Sequence, residues 1–109
     1  MKYIHKDLAV GRWNQLSYIE QMANIGSEIS RTIIWKQKNK DYSQKAFYRA
    51  LELITFTIKD PKNKKRLKEI CRVKETLVDW FLGFNIYQST DTQWQKYFLQ
   101  FNLAARLDK

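Results

Sequence analysis

Residues 60–83 read DPKNKKRLKEICRVKETLVDWFLG, and this stretch decides the fold. Asp60 can cap a helix, and Pro61 suits a first helical position, where its missing N–H would have had no partner. Leu67, Ile70, Cys71, Leu77, Val78 and Phe81 then recur at helical spacing up to Gly83, a helix breaker. The spacing predicts a helix over 61–82, and Asp60-Pro61 also stops whatever helix precedes it.

Working toward the N-terminus, a helix begins near Asp41, with Gln44 three residues on at capping-box spacing. Ala46, Phe47, Ala50, Leu51, Ile54, Thr57 and Ile58 form its apolar face. An earlier helix covers 12–35, with Leu16, Ile19, Ala23, Gly26, Ser30 and Ile33 as its stripe and Met22 and Ile29 on the flank. Ile25, Ile34 and Trp35 fall off that stripe. Gly26 costs about 1 kcal/mol relative to Ala in a helix interior. Close approach by a neighbouring helix would offset this; otherwise the glycine is simply tolerated.

Toward the C-terminus, Thr90 and Gln93 form a second capping box, followed by Trp94, Tyr97, Phe98, Phe101 and Ala105 at helical spacing. Residues 1–11 are a lead-in, with Gly11 a break. The expectation is an all-α, antiparallel four-helix bundle in one domain over 1–109, because short connections place consecutive helices side by side.

Composition narrows the function. Of 109 residues, 20 are Lys or Arg and 11 Asp or Glu, giving a formal net charge of +9. One Cys excludes an internal disulfide and a cysteine-based zinc site. The longest uncharged stretch, 80–90, is too short to span a membrane, and no apolar signal segment opens the chain, so a cytoplasmic location is expected.

The charge is concentrated. Residues 31–74 hold fourteen basic and four acidic residues, +10, and the remainder nets −1. One cluster is Lys36, Lys38 and Lys40. The other is Lys62, Lys64, Lys65, Arg66, Lys68 and Arg72, in which Lys64, Lys68 and Arg72 share one edge of the expected helix. Basic side chains beside phosphates release condensed counterions and give salt-sensitive, sequence-independent affinity. These nine residues are the candidate nucleic-acid contacts, RNA before DNA; a merely solvated face is the alternative. No membrane partner is expected, since no helix pairs a basic face with a spare apolar one.

Catalytic signals are weak. Lys74 interrupts the apolar stripe of the third helix and is expected to reach the rim or pair with a carboxylate. Cys71 reads as a small core residue, His5 has no second ligand nearby, and Glu75 and Asp79 sit on a solvated face. With no nucleophile–base pair, metal constellation or phosphate loop, the chain reads as non-enzymatic and without cofactor or metal.

Eight of sixteen aromatic residues fall within residues 80–101. Trp80, Phe84, Tyr87, Trp94, Tyr97, Phe98 and Phe101 are candidate protein-interface residues, because a small bundle has limited room for them all. Self-association through such a surplus is expected, as is the alternative function of a helical adaptor or scaffold.

The segments LAVGRWNQLSYIEQMANIGSEISR (8–31), DPKNKKRLKEICRVKETLVDWFLG (60–83) and KYFLQFNLAARL (96–107) resemble the small basic helical proteins encoded beside reverse transcriptases in diversity-generating retroelements. The resemblance implies a four-helix bundle assembling into a homopentameric barrel. It further implies binding of the reverse transcriptase and template RNA in support of complementary-DNA synthesis. No family motif maps residue by residue, so it assigns no site residue.

Overall fold

A computed structural model describes residues 11–107. The lead-in before Gly11, including His5, lies outside the described residues. Gly11 has φ +78°, a backbone state that suits glycine and agrees with a break there. A short 3-10 turn, Trp13–Gln15, follows, then four helices: α1 (Tyr18–Trp35), α2 (Lys40–Lys59), α3 (Leu67–Phe81) and α4 (Asp91–Leu107). A 3-10 segment, Pro61–Arg66, leads into α3. The Cα radius of gyration is 13.6 Å, near the roughly 13 Å of a compact chain this long.

Caps fix the helix starts. Ser17 accepts from Glu20 N at 3.1 Å and Glu20 returns the bond to Ser17 N at 3.0 Å, so α1 starts at Tyr18, six residues later than expected. The S-x-x-E signal was present in the sequence. Asn39, rather than Asp41, caps α2 by accepting from Asp41 N and Tyr42 N. Thr90 and Gln93 make both bonds of the expected box. Asp60 accepts from Lys62 N at 3.1 Å with Pro61 at the first position, also as expected.

α1 packs against α2 and α4, and α2 packs against α3. Two faces of α1 are therefore covered, which corrects the single stripe expected. The face toward α2 carries polar residues: Gln21 bonds Asp60, Glu28 pairs Arg49, and Thr32 O accepts from Ser43 Oγ at 2.6 Å. Ile25, expected off the stripe, is fully buried beside them. The face toward α4 carries Gly26, whose neighbour across the crossing is Phe98, so the close approach does occur.

The aromatic residues mostly form core. Phe47 stacks on Phe81 (centroids 4.4 Å apart), Trp80 meets Trp94 at 6.3 Å, Trp94 stacks on Phe98 at 5.9 Å, and Tyr97 meets Phe101 at 5.5 Å. Trp80, Trp94, Phe98 and Phe101 are buried. This corrects their assignment as surplus surface: the buried residues of α4 are all aromatic, so rings fill the volume between α4 and its neighbours. Cys71 is exposed, not core. The buried line of α3 is Ile70, Val73, Leu77 and Trp80; Ile70 and Leu77 belong to the expected stripe, whereas Val73 and Trp80 do not. Trp94 Nε1 is buried without an acceptor.

Candidate nucleic-acid interface

The corner between α2 and α3 is built around a buried polar network. Asp60 accepts from Gln21 Nε2 at 2.7 Å and from the Lys62 ammonium. Asn63, fully buried, donates to Gln21 Oε1 at 2.8 Å and to Thr57 O at 2.9 Å. Trp13 Nε1 donates to Thr57 Oγ1 at 3.0 Å, tying the first turn to the same hub. Burial alone would raise the Asp60 pKa; hydrogen bonds from Lys62 and Gln21 outweigh it and hold the carboxyl below its ordinary value.

With Asn63 anchored inward, Lys64 and Lys65 are exposed. Lys68 and Arg72 follow one turn apart on α3 and are also exposed. The single edge expected through Lys64, Lys68 and Arg72 is corrected: Lys64 lies in the 3-10 segment, so the α-helical register starts only at Leu67.

Three of the nine candidate residues are engaged within the chain. Lys62 Nζ bonds Asp60 and Asn14 O. Lys36 Nζ lies 3.0 Å from Asp91 Oδ1 and 5.0 Å from the Trp80 ring centroid, latching α1 to the start of α4. The Arg66 guanidinium stacks on Tyr18 at 4.4 Å. The other six, Lys38, Lys40, Lys64, Lys65, Lys68 and Arg72, are exposed and make no ion pair among the described residues. Lys59, in the last turn of α2, adds an exposed cation that the candidate set omitted. The two clusters stand at opposite ends of α2, whose 20 residues span about 30 Å.

Carboxylates beside these cations are occupied. Glu69 Oε2 accepts from Tyr97 at 2.9 Å and from Tyr18 at 3.3 Å. Burial, then the Glu69 charge, push the Tyr18 phenol up to about 12, and burial and the Glu69 bond move Tyr97 the same way. Lys74, half-buried, donates to Thr55 Oγ1 at 3.4 Å and makes no ion pair among the described residues.

Of the candidate interface aromatics, Phe84 is 95% exposed and Tyr87 also faces solvent, with Tyr97 half-buried. Ile86, 75% exposed, belongs with them and was missed. Their loop is fixed: Asp79 accepts from Ile86 N at 2.8 Å and Tyr87 N at 3.0 Å, and Tyr87 donates to Glu75 at 2.9 Å, which raises the Tyr87 pKa.

No helix among the described residues is long and apolar enough to cross a membrane, and no group of three potential metal ligands occurs among them. The chain matches no family model, no curated protein and no solved structure.

Proposed function

We propose that this protein binds nucleic acid through its phosphate backbone, without enzymatic activity, as an accessory to a reverse transcriptase in the cytoplasm. The observation that carries the reading is the set of six exposed cations at the two ends of α2 and along α3 that make no ion pair among the described residues. Solvated lysines need no such concentration, whereas a polyanion gains one released counterion for each phosphate they meet. Base selectivity is weak on this reading, because phosphate contacts carry no sequence information. RNA is the preferred ligand, and the enzyme partner follows from the family resemblance. Neighbouring helices run antiparallel, and copies of the chain associate.

The test is a fluorescence-anisotropy titration with RNA and DNA oligonucleotides at several salt concentrations. Affinity that falls steeply with salt supports the reading; no binding at low salt, or binding without a salt slope, refutes it.

One observation favours a second reading, a protein adaptor. The loop bearing Phe84, Ile86 and Tyr87 holds apolar side chains in water on a backbone pinned by Asp79, as a preorganised contact would. If Phe84→Ser abolishes capture of a protein partner, Lys64, Lys65 and Lys68 changed together to Glu leave it intact, and the wild type binds no nucleic acid at low salt, this second reading replaces the first.

A further inference from the structure

Trp35 ends α1 and Tyr42 lies in the first turn of α2, so the short connection brings them together. Their rings meet edge to face, centroids 5.2 Å apart. Both stay partly in water, Trp35 at 36% and Tyr42 at 51% exposure, although the core takes most other rings. With Arg31, Lys45 and Arg49 they line an open cleft of about 280 Å3.

The cleft is organised from beneath. Glu28, nearly buried, lies 3.3 Å from Arg31 Nη1 and 3.3 Å from Arg49 Nε, holding both guanidiniums in place. One carboxylate against Arg31, Lys45 and Arg49 leaves a net positive charge, and each guanidinium keeps donors that Glu28 does not take. Lys38 in the connection and Lys40 at the start of α2, both exposed, extend the positive field.

Partly exposed rings beside surplus cations suit a flat heteroaromatic group that carries phosphate. A base paired and stacked in a duplex hides its faces; an unpaired base offers one to stack and brings its phosphate along. We propose that this cleft holds an unpaired nucleotide of a single-stranded nucleic acid, its base on the Trp35–Tyr42 pair and its phosphate on Arg31, Lys45 and Arg49. The inference rests on the nucleic-acid reading and adds to it a preference for single strands that the five lysines and one arginine of the two clusters alone do not confer.

The experiment compares a labelled single-stranded RNA 12-mer with the duplex of the same sequence, for the wild type, Trp35→Ala, Trp35→Phe and Tyr42→Ala. All variants are checked for native circular dichroism and melting. The wild type binds the single strand more tightly, Trp35→Ala weakens single-strand binding roughly tenfold, the size of one lost stack, duplex affinity does not change, and Trp35→Phe restores the preference. Equal affinity for the two ligands, or equal losses on both in Trp35→Ala, overturns the cleft while leaving backbone binding standing. Absence of binding to either ligand at low salt overturns both.

Discussion

A Cβ built on Gly26 would lie 2.7 Å from Phe98 Cβ, so α1 and α4 cross in contact at this pair. Because Phe98 Cβ is fixed to the α4 backbone, no rotamer change relieves the clash. Gly26→Ala gains about 1 kcal/mol of helix propensity and incurs an overpacking cost of about 1–3 kcal/mol. The expected outcome is a net destabilisation of about 1 kcal/mol, read as a lower urea midpoint, whereas an exposed helical glycine changed to Ala would be stabilised. A raised midpoint would contradict the crossing.

Asp60 gives the fold an acid-sensitive joint. Its folded pKa lies below the ordinary carboxyl value, so its contribution is present above the unfolded pKa of about 3.9 and is lost as pH falls through the folded pKa. Stability should drop below about pH 4, and Asp60→Asn should flatten that acid limb while lowering stability at pH 7 by about 1.5–3 kcal/mol, the scale of a charged hydrogen bond. Urea unfolding at pH 7 and pH 3 measures both; an unchanged acid limb in the variant removes Asp60 as its source.

The two basic clusters stand about 30 Å apart along α2, roughly nine nucleotides at 3.4 Å each. Lys38 and Lys40 changed to Glu, and Lys64 and Lys65 changed to Glu, should therefore weaken binding to a 20-mer duplex additively, each lowering the salt slope. On a 6-mer the second pair of changes should add little to the first. Equal additivity on both lengths, measured by anisotropy, would mean that the clusters do not act as separate ends of one track.

Self-association should follow the exposed loop rather than the aromatic core. Phe84 and Ile86 face water, and copies carrying +9 each repel, so assembly should strengthen as salt screens that charge. Phe84→Ser with Ile86→Ser should weaken it without lowering thermal stability, since neither side chain is core. Light scattering coupled to size exclusion at low and high salt gives the answer; a wild-type mass of 13.2 kDa at both salts and high protein concentration refutes the prediction.

Cys71 is exposed on α3. One thiol equivalent should react with an aromatic disulfide reagent in the native protein at a rate near that of the denatured chain. Protection under native conditions would place Cys71 inside instead.

Much of this protein was legible in its sequence. Asp60-Pro61, Thr90 with Gln93 and Gly11 act through their own backbone neighbours, so element type and several boundaries follow from local chemistry. The basic excess in residues 31–74 is likewise a property of composition. Tertiary structure decided which residues that excess leaves available. Lys36, Lys62 and Arg66 look like their neighbours in sequence, but Asp91, Asn14 O and Tyr18 reach them only once the chain packs. Hydropathy placed the α1 stripe one step away because Gln21 and Glu28 are buried against distant partners, Asp60 and Arg49, and the buried Thr32 hydroxyl is satisfied by Glu28 O, which periodicity does not register. The Trp35–Tyr42 cleft likewise joins Arg31 to Arg49 across two helices through a shared Glu28; a charge pattern specifies how many cations a segment carries, and only packing sets which of them meet.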